Sequence, residues 1–120
     1  MNGKVLVVDD EAEIGFMLSN LLRHHGYDTI AAETVDVALN FADDVPIAAI
    51  VLDANIAGED GLKLLSFLRQ NHPGVPVIIY TGMDHEPSVV EKILKEGAVQ
   101  YLRKGRPLDE LLRAVESVVK

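Results

Sequence analysis

Carboxylates stand at two separated points of the chain, each directly behind an apolar run. Asp9 and Asp10 follow Lys4-Val5-Leu6-Val7-Val8, and Asp53 follows Ala48-Ala49-Ile50-Val51-Leu52. Two further apolar runs end in other polar groups: Val75 to Tyr80 ends at Thr81, and Val99-Gln100-Tyr101-Leu102 ends at Arg103-Lys104. In a parallel sheet such run ends share one edge, so carboxylates, a hydroxyl and an ammonium would converge there. Carboxylates in one pocket repel each other and call for a hard cation. Oxygen donors without sulfur favour Mg²⁺, which keeps several of its waters. A carboxylate beside a cation can attack phosphorus and form an aspartyl phosphate. The lysine and threonine would then stabilise charge on the phosphoryl oxygens.

The elements that must position these groups are legible in the periodicity. Lys4–Val8 is apolar throughout and suits a strand buried on both faces. Ala12 to His25 carries Ile14, Met17, Leu18, Leu21 and Leu22 at helical spacing, with Gly26 as its C-cap. Asp28–Ala32 is a shorter, less apolar strand suited to an edge. Thr34 caps a helix running to Asp44. After Asp53, a loop with Gly58 and Gly61 leads to a helix from Leu62 to Asn71 that buries Leu64, Leu65 and Leu68. Pro87 starts a fourth helix bearing Val89, Val90, Ile93 and Leu94. Leu108 to Val119 forms the last, with Asp109 and Glu110 in its first turn. Five βα units in strict alternation predict an α/β fold: a five-stranded parallel sheet, doubly wound, with helices on both faces. Alternation alone leaves the strand order open.

Composition narrows the function classes. The chain has 120 residues, which is one domain, and no cysteine, which excludes disulfides and thiolate metal sites. No apolar run approaches a membrane span, and the start lacks a signal peptide's apolar stretch, so a cytoplasmic protein is expected. A net charge of −8 repels phosphate backbones, so direct nucleic-acid binding by this chain is not expected. His24, His25, His72 and His85 are metal ligands by type, but their spacing forms no ligand set.

The blocks VLVVDDE, LDANIAGEDG, VIIYTG and YLRK, in this order and spacing, resemble the response-regulator receiver domain of two-component signalling. The likeness covers essentially the whole of residues 1–120. It implies a flavodoxin-like sheet in the order 2-1-3-4-5. It also implies Asp53 as phosphoacceptor and one Mg²⁺ ion held by Asp10 directly, Asp9 through water, Asp53 and the backbone carbonyl of Asn55. By the same resemblance Thr81 and Lys104 contact the phosphoryl group, and Tyr101 is the aromatic that turns inward when Thr81 moves. The implied partners are a histidine kinase or histidine phosphotransfer protein and a downstream target protein or output domain. A phosphorylation-dependent homodimer is also implied.

Two positions depart from the family pattern. Ala57 replaces a common proline four residues after the acceptor, and Gly105 replaces a cis proline after the lysine. A cis bond without proline costs about 3 kcal/mol, so a trans Lys104–Gly105 bond and a looser following loop are expected.

Three functional readings compete. In the first, phosphorylation of Asp53 shifts a face built from the fourth helix, fifth strand and fifth helix, where Lys92, Lys95, Arg103, Lys104 and Arg106 form a basic cluster. In the second, a degenerate receiver binds a partner without phosphorylation; failure to bind Mg²⁺ would mark it. The third is an aspartyl-nucleophile phosphatase, which needs a general acid two residues after the nucleophile, where this chain has Asn55. The first reading makes the chain a phosphoacceptor and not an enzyme acting on other substrates. It is either a stand-alone receiver or the part of a larger regulator that ends where a linker would begin.

Overall fold

The structure is a computed structural model, and it describes residues 3–56, 59–82 and 85–119. In chain order the elements are β1 (Lys4–Val8), α1 (Ala12–His24), β2 (Thr29–Ala32), α2 (Val35–Asp44), β3 (Ile47–Leu52), α3 (Gly61–Asn71), β4 (Val77–Thr81), α4 (Pro87–Lys95), β5 (Ala98–Arg103) and α5 (Leu108–Val118). The five strands form one parallel sheet in the order β2-β1-β3-β4-β5, as the resemblance implies. The short strand β2 lies at an edge, as its lower apolarity predicts. Between β3 and α3, Asn55–Ile56 pairs antiparallel with Glu59–Asp60, a small ladder in what reads as plain loop. Ala57 and Gly58 lie outside the described residues.

Strand alternation divides the core in two. Leu6, Val8, Ile50, Leu52, Val77 and Ile79 face α2, α3 and α4, meeting Ala38, Leu64, Leu65, Leu68 and Ile93. Val5, Val7, Val51, Ile78 and Tyr80 face α1 and α5, meeting Leu18, Leu22, Leu111, Ala114 and Val115. Both faces are covered by helices, which is why the strand sequences read as continuous apolar runs.

Caps fall where turn chemistry places them. Thr34 Oγ1 accepts from the Val37 amide at 3.2 Å at the start of α2. Gly26 follows α1 with φ +90°, a left-handed conformation cheap only for glycine.

One expectation is corrected, and two apolar helix residues lie more open than their spacing alone suggests. β4 starts at Val77 rather than Val75; Pro76 stays outside it, offering its carbonyl to the Ile50 amide at 3.0 Å. Met17 is 37% exposed, because the buried stripe of α1 runs through Gly15, Leu18, Ser19 and Leu22. Small residues in that stripe let the helix approach the sheet, and a count of large apolar residues misses them. Leu94 is 42% exposed, because α4 buries only Ile93 fully and leaves its neighbour on the flank.

Candidate functional site at the carboxyl edge of the sheet

Strand register builds the site. Val8 of β1 lies beside Leu52 of β3, so the next residues, Asp9 and Asp53, emerge as neighbours. The Asp53 amide donates to the Val8 carbonyl at 3.0 Å and fixes that step. One pairing further along the sheet, Leu52 lies beside Ile79, and Thr81 of β4 lies beside Arg103 of β5. The Lys104 amide then donates to the Thr81 carbonyl at 2.9 Å, which starts the lysine side chain from the end of β5.

Lys104 turns back over the edge. Its Nζ stands 2.8 Å from Asp9 Oδ2, 3.1 Å from Asp53 Oδ2 and 3.1 Å from Glu11 Oε1. Asp9, Asp53 and Thr81 are buried, while Asp10 and Glu11 are exposed. Asp9 Oδ1 also accepts from the Glu11 amide at 2.9 Å. Burial pushes the Asp9 carboxyl above its usual range, against the pull of Lys104 and the Glu11 amide. For Lys104, burial alone would lower the pKa; hydrogen bonds to Asp9, Glu11 and Asp53 outweigh it, and the ammonium holds its proton more tightly than usual.

Asp9, Asp10 and Asp53 each offer an oxygen, and these lie within 4.8 Å of one another; among the described residues no histidine joins such a group. An octahedral Mg²⁺ with ~2.1 Å bonds sets neighbouring ligand oxygens ~3.0 Å and opposite ones ~4.2 Å apart. The donor set therefore fits a small hard cation that retains water. Three of the four histidines are engaged elsewhere: His72 pairs with Asp43 at 2.9 Å, His25 Nδ1 lies 2.9 Å from the Leu21 carbonyl, and His85 Nδ1 meets the Tyr101 hydroxyl.

Gly61 opens α3 directly beneath the acceptor strand end. A Cβ there would stand 2.3 Å from the Asp53 carbonyl oxygen and 2.9 Å from the Ala54 carbonyl. Its amide donates to the Ala54 carbonyl at 2.9 Å. Close approach, rather than turn conformation, requires glycine here. The β5–α5 turn needs glycine for the other reason: Gly105 has φ +89°, with open space around a hypothetical Cβ. No described peptide bond is cis, in line with the trans Lys104–Gly105 bond expected. Proline, fixed near φ −65°, cannot occupy Gly105 as it stands.

The residues read from sequence thus fall into groups. Asp9, Asp10, Asp53, Thr81 and Lys104 meet at one edge. Asn55 follows on the same loop, with its backbone in the short ladder. Tyr101 lies two residues before that edge on β5, opposite Ile79, half-buried against the α2–α4 side of the core. Lys104 does not belong to the exposed basic cluster, since its ammonium lies among the carboxylates. Of that cluster, Lys95 pairs with Glu91 at 3.5 Å and Arg106 with Glu110 at 2.9 Å. Glu11 is the site residue that the sequence reading did not single out. Its signal was adjacency to the acid pair, which alone cannot show that its side chain reaches Lys104.

Comparison with known proteins points one way. The family described as "Response regulator receiver domain" matches residues 5–116. The alkaline phosphatase synthesis transcriptional regulatory protein PhoP of Bacillus subtilis is 34% identical over all of this chain, which covers 50% of PhoP. The receiver domain of the Francisella response regulator 1452 is 32% identical, with a TM-score of 0.89 over 98% of this chain and 97% of its own. Response regulator TrrA of Thermotoga maritima, solved in complex with Mg²⁺-BeF, is 28% identical, with a TM-score of 0.87 over 98% of this chain and 99% of its own. This chain spans 22% to 50% of the length of curated relatives it matches. No helix among the described residues is long and apolar enough to cross a membrane.

Proposed function

Because this chain belongs to the response-regulator receiver domain family, we propose that it is a phosphoacceptor switch in which Asp53 takes the phosphoryl group. The observation that carries this reading is the convergence on Lys104, whose ammonium contacts Asp9 and Asp53 at once beside an acidic oxygen cluster. The donor is a phosphohistidine on a histidine kinase or phosphotransfer protein. An Asp53 carboxylate oxygen attacks phosphorus, the new O–P bond forms as the P–N bond breaks, and the electron pair leaves with the imidazole. Lys104 holds Oδ2 of Asp53 before transfer and is placed to contact a phosphoryl oxygen afterwards. Thr81, at the end of the neighbouring strand, supplies a hydroxyl for another. Asp9, Asp10, Asp53 and the Asn55 carbonyl would hold one Mg²⁺, whose chemistry when bound is to neutralise charge gathering on the phosphoryl oxygens.

Phosphorylation then draws Thr81 toward Asp53 and lets Tyr101 settle inward, changing the α4–β5–α5 face. Lys92, Arg103, Leu94 and Val99 are exposed there, suited to a target protein, an output domain or a second copy. The location follows as the cytoplasm, where such kinases present their phosphohistidine.

The test is intact mass after incubation with Mg²⁺ and a small acyl-phosphate donor. One added phosphoryl group is expected, lost with EDTA and in Asp53→Asn. No adduct, together with no binding of beryllofluoride, would sink the reading and leave a phosphorylation-independent binding module.

A further inference from the structure

His85 lies between the end of β4 at Thr81 and Pro87 at the start of α4. Its side chain is half-buried, and its Nδ1 shares a hydrogen bond with the Tyr101 hydroxyl. The two rings meet edge to face, with centroids 5.6 Å apart and planes at 76°. Tyr101 itself packs against the core cluster that includes Ile79, its neighbour across the sheet. An aromatic at a sheet edge can otherwise swing to solvent. Here the ring is held from two sides, by the core beneath and by a polar tip on the loop. We propose that His85 is a positioning residue that holds Tyr101 inward and so sets the equilibrium between the two states of the switch.

The inference rests on the reading of Tyr101 as the aromatic that moves with Thr81. Tyr101 and His85 then move together, because the imidazole grips the ring. Any group that favours the inward ring also favours ligands that favour it, by the same factor in both directions. One hydrogen bond with an edge-to-face contact biases such an equilibrium by ~5–10-fold.

The experiment uses the full chain labelled with ring-¹³C tyrosine, whose signals come from Tyr27, Tyr80 and Tyr101 and are assigned by Tyr→Phe substitution. His85→Ala is expected to move the Tyr101 signal and leave Tyr27 and Tyr80 in place. It should also weaken beryllofluoride binding by ~5–10-fold at an unchanged urea midpoint. His85→Asn, whose amide reaches the Nδ1 position, should recover most of the affinity. In Tyr101→Phe the added effect of His85→Ala should shrink toward that of the ring contact alone. An unmoved Tyr101 signal, or Asn and Ala variants that behave alike, would overturn the proposal. A wild-type chain that fails to bind beryllofluoride would instead overturn the acceptor reading, and the tyrosine signals would still decide whether His85 holds the ring.

Discussion

The two ends of the sheet are built from matching parts and use them differently. Each has a lysine–aspartate contact. At the carboxyl edge, Lys104 and Asp9 are 14% and 3% exposed at their side chains; at the amino edge, Lys4 and Asp28 are 34% and 63% exposed. Each also has a glycine with no room for a Cβ. At the carboxyl edge Gly61 abuts the carbonyls of Asp53 and Ala54, which are main chain. At the amino edge Gly97 abuts the side chain of Arg69, which donates to the carbonyls of Pro73 at 3.1 Å and Val75 at 3.4 Å. Gly61 closes backbone on backbone, whereas Gly97 closes on a side chain that can shift; at the amino edge only Gly3, 2.9 Å from the Ala48 nitrogen on the same measure, meets main chain among the described glycines. A site that must hold an acceptor oxygen in line with an incoming phosphorus needs the first kind of closure.

The sharpest way to break that comparison is to add a methyl group at each glycine. In Gly61→Ala the Cβ meets a carbonyl oxygen at 2.3 Å, so the first turn of α3 must move away from Asp53. The expected cost is about 3 kcal/mol by urea unfolding, with loss of beryllofluoride binding. In Gly97→Ala, Arg69 can rearrange, but φ is +117°, and a cost of about 1–2 kcal/mol with retained binding is expected. Equal costs at both sites, or full binding by Gly61→Ala, would mean that the Gly61 contact is no more rigid than the Gly97 contact.

The lysines come next in size. Lys104→Met leaves Asp9 and Asp53 facing each other without their shared ammonium. Breaking a fully buried pair costs about 3–5 kcal/mol; with this edge open to solvent, about 2 kcal/mol is expected in EDTA. Added Mg²⁺ should return part of it, because an ion that binds only the folded chain stabilises it. Lys4→Met, at the exposed pair, should cost far less, with or without the ion. A Lys104→Met chain as stable as wild type in EDTA would show that Asp9 and Asp53 do not depend on the lysine.

The same contrast explains what the sequence could tell. The strands and the convergence of Asp9, Asp53, Thr81 and Lys104 follow from local patterns, because run ends in a parallel sheet must share an edge; the strand order is implied only by the family resemblance. Contacts made by long side chains across the fold were not legible. Glu11 reaching Lys104 and His85 reaching Tyr101 depend on rotamers chosen by tertiary packing. Gly61 was visible as a turn residue, yet its reason is the proximity of a carbonyl that only the folded register supplies. Apolar spacing marks a broad helix face, and on α1 small residues such as Gly15 decide which part of it touches the sheet, leaving Met17 37% exposed.

The smallest effect should be the pH response of the exposed pair, and its sign separates the two edges. The hydrogen bond from Lys4 holds the Asp28 carboxyl below its ordinary value of 3.8, with burial working weakly against it. A carboxyl depressed by folding binds its proton less readily when native than when unfolded. It therefore stabilises the fold above the unfolded pKa, and that contribution fades as pH falls through the folded value. At the carboxyl edge burial raises the Asp9 carboxyl instead, so the same residue pair shifts the other way. By carboxyl NMR, Asp28 should titrate below an ordinary aspartate in the wild-type chain and move up in Lys4→Met. The small stability gap between the two chains should close as pH drops below about 4. An Asp28 midpoint unchanged by the substitution would show that the amino-edge contact does not survive solvent screening, and would widen the contrast between the two edges.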